Sequence, residues 1–307
     1  MSRAVTISIL TYKRHQHLGR ALASALRYAD QVAEIFVVDN AAEPELKSIL
    51  AAEFPNVRYI AAPSNGGCEG RNIALRAAVT PIVITLDDDV ELSSPNCIAE
   101  VENAFSRDPH LACLNFTVTG GDGKVLERDW CHPRPISHAS REFETHFILE
   151  GACALSREKV LSVGGYPAEF FLGHEGVDLG YRLIGGGWRV VHTPRVLTTH
   201  HAAVEHRPDW RVYYYYTRNG IWIVYRSFPP VMAIPRVIAH LATMGFFSLR
   251  AMQLRAYLKG CVDGVRGLPR MERQNLDADS LKHVREIRSE RVALFGRIQR
   301  RLRERIL

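Results

Sequence analysis

The stretch Ile84-Thr85-Leu86-Asp87-Asp88-Asp89-Val90-Glu91-Leu92 drives an apolar strand directly into three consecutive carboxylates. Like charges this close raise one another's pKa and repel, so such a cluster persists most easily with a cation among its oxygens. The pattern points to a divalent-metal site; the plainer alternative is that the acids only end a strand and cap the next element. Four strand-like stretches precede or include the cluster, at 6–11, 34–39, 57–61 and 82–86, and helix-like stretches lie between them at 17–27, 44–54 and 71–78. This alternation predicts an α/β chain whose parallel sheet is covered by helices on both faces. Ligands of such sheets bind beyond the carboxyl ends of the strands, and Thr11, Asp39 and Asp87 sit at three of those ends. One crevice should hold all three.

The blocks TISILTYKRHQHLGRALASAL, EIFVVDNAAEPELKSIL, PSNGGCEGRNIAL and ITLDDDVEL follow one another, then EGACALSREKVLSVGGYP, FFLGHEGVDLGYRLIGGGWRVVHTP and His200. In order and spacing they resemble the family 2 glycosyltransferases. The resemblance implies the GT-A fold, a Rossmann-like mixed, mostly parallel sheet flanked by helices, here with a helical C-terminal extension. It implies metal-dependent, inverting transfer of a sugar from a nucleoside-diphosphate sugar donor to a hydroxyl acceptor, whether a cell-surface glycan, a lipid-linked molecule or a small molecule. The expected division is 1–208 as catalytic domain, with 1–117 the nucleotide-sugar and metal half and 118–208 the acceptor and base half, followed by 209–307 as helical extension.

Sugar transfer explains the residue types. As the bond from the anomeric carbon to the diphosphate breaks, charge builds on the leaving oxygen, and a metal bridging the phosphates stabilises it. Mg²⁺ or Mn²⁺ takes oxygen ligands, so carboxylates suit it. By resemblance Asp89 ligates the metal, Asp87 faces the ribose and helps position the metal, His200 completes the metal shell, and Asp88 is the variable middle position. Asp39 resembles the carboxylate that hydrogen-bonds the base, with Thr11 and Tyr12 lining its pocket, although an Asp39-Asn40 turn is the alternative. Asn65 and Gly67 belong to a flexible Asn65-Gly66-Gly67 segment close to the ligand, and Arg71 opens a helix whose amino end favours anions. Arg71 is the leading phosphate or ribose candidate; Arg14 stands behind it because surface cations are usually solvated.

The attacking hydroxyl must lose a proton, and one carboxylate suffices for a single inverting displacement. Relatives carry an acidic motif of the Glu-Asp-x-Asp type for this. Here it reads His174-Glu175-Gly176-Val177-Asp178-Leu179 with Arg182 following, so the second acid is absent. Glu175 is the first choice as base and Asp178 the second, with Asp178 pairing Arg182 at helical spacing as its alternative. The irregular region 118–145, with Trp130, His132, Pro133 and Pro135, has the look of an acceptor loop or lid, where Trp130 either stacks on a sugar or packs.

Six cysteines without paired short spacing, and no signal peptide before the first strand, lead to the expectation of reduced thiols in a cytoplasmic protein. An aromatic helix is expected over 209–226. The apolar stretch 229–249 is interrupted by Pro235, Arg236 and His240 and falls short of a spanning helix, leaving a core pair or an interfacial position. The segment 282–307 alternates arginines with apolar residues as a basic amphipathic helix. It either covers a core or attaches the enzyme peripherally to the anionic inner face of the plasma membrane. The net charge of +6 concentrates in this tail without a nucleic-acid-reading motif, so nucleic acid is not an expected partner. Two rival readings stay open. A sugar-phosphate nucleotidyltransferase would want a glycine-rich basic loop after the first strand, which Thr11-Tyr12-Lys13-Arg14-His15 lacks; a nucleotide-sugar-binding protein without catalysis would account for Gly176.

Overall fold

The computed structural model describes residues 3–201 and 210–288. Strands β1 (Val5–Thr11), β2 (Glu34–Asp39), β3 (Val57–Ala61) and β4 (Ile82–Asp87) alternate with helices α1 (His15–Leu26), α2 (Pro44–Glu53) and α3 (Glu69–Ala77). There follow β5 (Val90–Leu92), α4 (Cys97–Arg107), β6 (Leu111–Thr119), β7 (Phe143–Glu144), β8 (Ala152–Ser156), α5 (Arg157–Ser162), α6 (Glu175–Gly185) and β9 (Arg189–His200). Helices α7 (Trp210–Ser227), α8 (Pro230–Arg250), α9 (Leu254–Gly267) and α10 (Ala278–Ile287) complete the described chain.

The strands join in one mixed sheet ordered β3-β2-β1-β4-β8-β6-β9-β5, with β7 also on β9. Pairs β3-β2, β2-β1 and β1-β4 are parallel, as the alternation predicts; β8 then enters antiparallel between β4 and β6. Strand β1 is buried along nearly its whole length, which suits a parallel strand covered on both sides. Alternate side chains feed two cores: Ile35 and Val37 face Leu18, Leu22 and Leu46, while Phe36 and Val38 face Leu75, Tyr166 and Leu179. Leu18, Ala21, Leu22 and Ala25 form the buried stripe of α1 at helical spacing. Each such fully buried large side chain contributes about 1.5–3 kcal/mol.

A third core binds the C-terminal helices to the α/β part through Phe170, Tyr181 and Ile184 against Ile221, Trp222 and Ile287. The boundary expected at 208 and 209, and the apolar residues expected on the tail helix at Leu294, Phe295, Ile298 and Leu302, lie outside the described residues. The aromatic helix forms as α7. Helix α8 runs through Pro235 without breaking; the missing N–H leaves the carbonyl of Val231 unpaired within the helix, and that residue is 85% exposed, so water can serve it. Against the expectation that this stretch falls short of a spanning helix, α8 is long and apolar enough to cross a membrane by length and composition alone, and 22% of its apolar window is buried.

Buried Asn219 of α7 donates from Nδ2 to the carbonyls of Phe170, Leu172 and Gly173 at 3.1, 2.9 and 2.7 Å, tying the extension to the loop that leads into α6. Asn219→Ala should cost about 1–3 kcal/mol through the orphaned carbonyls, and urea unfolding of the two proteins would measure it.

Candidate active site

The site is built on the end of β4. The β1-β4 register sets Leu10 opposite Asp87, which brings Thr11 beside the next acids. The Thr11 hydroxyl donates to Asp88 Oδ2 at 2.8 Å. Arg14, in the turn between β1 and α1, reaches the same spot: Nη2 lies 2.5 Å from Asp88 Oδ1 and Nη1 2.7 Å from Asp89 Oδ2. Arg71, buried in the first turn of α3, donates to the Thr85 hydroxyl at 2.7 Å and pairs with Asp87. Asp88, the variable middle position, is fully buried and clasped by Thr11 and Arg14. Arg14 is likewise no solvated surface cation.

Antiparallel pairing of β5 with β9 sets Val90 opposite His200 and so delivers that histidine to Asp89. His200 Nε2 lies 3.6 Å from Asp89 Oδ1, and its Nδ1 lies 2.7 Å from Asp129 Oδ2. Burial lowers the pKa of His200, but the Asp129 and Asp89 carboxylates outweigh it and raise it to about 9. Burial works to raise Asp89, yet His200 and Arg14 hold it well below the usual carboxylate range. Burial pushes Asp88 up to about 6 despite Arg14 and Thr11.

Among the described residues no three or more His, Cys, Asp or Glu side chains converge as a ready metal cage, because arginine takes the space between the acids. The donor types nevertheless fit a divalent ion. Asp87 is 38% exposed at the cleft, Asp89 and His200 present an oxygen and a nitrogen toward each other, and a carboxylate behind the other ring nitrogen is how ligating histidines are commonly oriented.

The cleft, of about 860 Å³, is lined by Thr11, Tyr12, Arg14, Asn65, Gly67 and Arg71 together with Asp87, Asp88 and Glu175. Gly67 adopts φ +59°, and a side chain there would overlap the Phe171 carbonyl, so only glycine closes this wall. Asp39 corrects an expectation: it is fully buried and does not line the cleft, since its carboxylate accepts from Ala41 N, Glu43 N and the Tyr59 hydroxyl at 2.8, 2.8 and 3.0 Å. It clamps the turn into α2. Its neighbour Asn40 lines the cleft and donates to the Gly67 carbonyl at 2.9 Å.

Asp178 is a second correction. Its side chain is 1% exposed, its Oδ2 accepts from Arg182 Nε at 2.8 Å, and it stands away from the cleft. The fourth residue of the motif is a buried helix anchor, because an i, i+4 acid and arginine neutralise each other inside. Glu175 does face the cleft, and its Oε2 is buried without a hydrogen-bond partner. Gly176 has a spatial reason: a Cβ would overlap the Ile148 carbonyl and the carboxylate of Glu150, whose Oε1 accepts from Gly176 N at 2.6 Å. Glu150 thus places a carboxylate beside the position whose acid is missing. No signal in the sequence links the two, since 26 residues separate them. Burial, then the like charge of Glu150, pushes Glu175 up to about 8.

Trp130 packs rather than presenting a face: its Nε1 donates to the Arg134 carbonyl at 2.6 Å and its ring meets His132, Phe143 and His192 edge-on. The irregular segment around it forms one wall of the cleft over a small core of its own.

A parallel half-sheet ending in acids, with a cleft beyond them and a facing carboxylate, defines an α/β protein whose ligand site lies at the carboxyl ends of its strands. Residues 6–164, just over half the chain, match the family described as Glycosyl transferase family 2, and the chain belongs to that family. It is a glycosyl-transfer enzyme. The N-acetylglucosaminyl-diphospho-decaprenol L-rhamnosyltransferase of Mycobacterium tuberculosis is 28% identical over 239 residues, covering 66% of this chain and 78% of that protein. TarS 1–349 of S. aureus in complex with UDP-GlcNAc superposes with a TM-score of 0.60 at 12% identity, covering 98% of this chain and 92% of its own. GalNAc-T7 with UDP, GalNAc and Mn²⁺ superposes with a TM-score of 0.59 at 15% identity over 74% of this chain, which spans 48% of that longer one. At such identities the two structures speak to fold.

Because folding raises the Glu175 pKa from the ordinary 4.5 to about 8, the folded protein binds the extra proton between those values. Stability should therefore fall as pH rises from about 4.5 to about 8. Glu175→Gln should make that decline shallower and be the more stable protein at pH 8.5, by up to a few kcal/mol, in urea melts followed across the window.

Proposed function

We propose that this protein transfers a sugar, with inversion, from a nucleoside-diphosphate sugar to a hydroxyl of a lipid-linked acceptor, in a reaction that uses Mg²⁺ or Mn²⁺. The observation that carries this reading is the cleft itself, where the cation-held acids at the end of β4 share one hollow with the unpartnered Glu175 oxygen. Asp89, His200 and Asp87 would hold the ion once Arg14 releases Asp89, and when bound it supplies Lewis-acid stabilisation of the departing diphosphate. Arg14 and Arg71 add positive charge where the phosphates lie, and Tyr12, Asn40 and Asn65 flank the nucleoside.

Glu175 is the base. Its raised pKa suits a carboxylate that takes a proton near neutral pH; burial holds it there, with the like charge of Glu150 beside Gly176 adding to it. The catalytic unit ends near residue 208 and the helical extension beyond it serves the acceptor. The M. tuberculosis relative's name supports a lipid-linked diphosphate acceptor, and the exposed apolar side chains of α8, such as Ile234 and Ile238, support a peripheral position on the anionic inner face of the cytoplasmic membrane.

A panel of UDP-, GDP- and TDP-sugars, with and without EDTA, tests the reading. Turnover should vanish with EDTA and return with Mn²⁺, and Asp89→Ala should lose about 100-fold or more of kcat; a fully active Asp89→Ala protein overturns the metal assignment. Single-turnover rates should drop about 10²–10⁴-fold in Glu175→Gln. Asp178→Asn should instead lower thermal stability, by up to about 3–5 kcal/mol if Arg182 is left buried and unpaired, with near-normal kcat in the folded fraction.

A further inference from the structure

A second cavity, of about 700 Å³, lies between α6, α7, α8 and α10. His174, Val177 and Arg288 line both this cavity and the cleft, so Glu175 stands in the chain between residues that face the two hollows. Most of its wall is apolar, with Ile223, Phe228, Met232, Met244, Phe247 and Val284. Three arginines, Arg236 on α8, Arg285 on α10 and Arg288 just after it, face the same space.

Among the described residues these cations lack counter-charges. Arg236 donates to the Met232 carbonyl at 2.8 Å and lies 4.6 Å from the centre of the Phe228 ring. Arg288 donates to the Tyr181 hydroxyl at 2.7 Å. Among the described residues none of the three forms an ion pair with a carboxylate. Burial, then the nearby Arg288 and Arg285, lowers the Arg236 pKa, as expected where positive charge is concentrated without an anion. Concentrated positive charge against an apolar wall complements a ligand that joins a multivalent anion to a hydrocarbon chain. The chain also has a way out, because α8 leaves Ile234, Ile238 and Leu249 more than 60% exposed.

We propose that this cavity is the acceptor subsite and that it holds a long-chain lipid diphosphate, with the diphosphate among Arg236, Arg285 and Arg288 and the hydrocarbon along α8. The sugar carried on that diphosphate then enters the cleft past His174 and Val177 and presents its hydroxyl to Glu175. This assignment rests on the sugar-transfer reading above and adds to it the place and the chemistry of the acceptor.

The test titrates the full chain, with saturating UDP and Mn²⁺ present, with farnesyl diphosphate, inorganic pyrophosphate and phosphatidylglycerol vesicles in turn. Farnesyl diphosphate should bind at least tenfold more tightly than pyrophosphate. Binding should weaken at least tenfold in Arg285→Gln and in Arg236→Gln. It should also weaken in Ala239→Phe, which narrows the cavity and leaves the charges in place. Equal affinity for pyrophosphate would make this a site for soluble diphosphate, and equally potent competition by the vesicles would make it a general anionic surface; either overturns the proposal, as does unchanged binding in all three variants. Donor hydrolysis measured on the same samples separates the two readings. If wild-type protein hydrolyses a nucleotide sugar while the three variants bind farnesyl diphosphate normally, the subsite fails and the enzyme reading stands. If no nucleotide sugar is bound or hydrolysed, the enzyme reading itself fails.

Discussion

Three carboxylates in a row at the end of a buried strand are held together by two arginines that cannot give up their protons. At an effective dielectric near 20, like charges about 4 Å apart repel by about 4 kcal/mol, so the cluster of Asp87, Asp88 and Asp89 requires positive charge at close range. Arg14 supplies it from the end of β1 and Arg71 from the start of α3. Both depend on the parallel register of β1 against β4 and on Thr85 anchoring Arg71 from inside the sheet. The donor half of the cleft is in this sense a single electrostatic unit, assembled by the first four strands.

The wall that carries Glu175 follows another logic. Asp178 and Arg182 are neutralised inside the fold, which fixes α6 so that its first residue, Glu175, faces the cleft. The loop before α6 is held from outside by Asn219 of α7, and the loop before β8 sends Glu150 against Gly176. A glycine in an acidic motif is thereby a packing requirement as well as a loss: the space belongs to a carboxylate from another element. The result pairs two buried acids, and burial, helped by their mutual repulsion, raises the pKa of Glu175 to about 8.

The helical extension joins this chemistry to an apolar environment. Its helices pack on α6 through Ile221, Trp222 and Ile287, yet α8 keeps much of its apolar surface uncovered. The cleft thus has one charged wall and, across His174 and Val177, an apolar neighbour.

Much of this was legible in the residues. The alternation of apolar strands and amphipathic helices predicts the half-sheet, and the ends of β1 and β4 name Thr11 and Asp87 as neighbours, because parallel strands align their carboxyl ends; the grip of Arg14 on Asp88 and Asp89 was not legible there. The aromatic helix over Trp210–Ser227 was readable for the same reason of period. Asp39 misled, since an acid at a strand end serves a turn as well as a ligand, and only the positions of Ala41, Glu43 and Tyr59 decide which. The grouping of His200 with Asp89 was legible only through the family resemblance, while the contact of Glu150 with Gly176 and the convergence of Arg236, Arg285 and Arg288 came from tertiary structure alone. Each joins residues distant in the chain through antiparallel pairing or helix packing, and local sequence carries the period of an element but not the partner against which it settles.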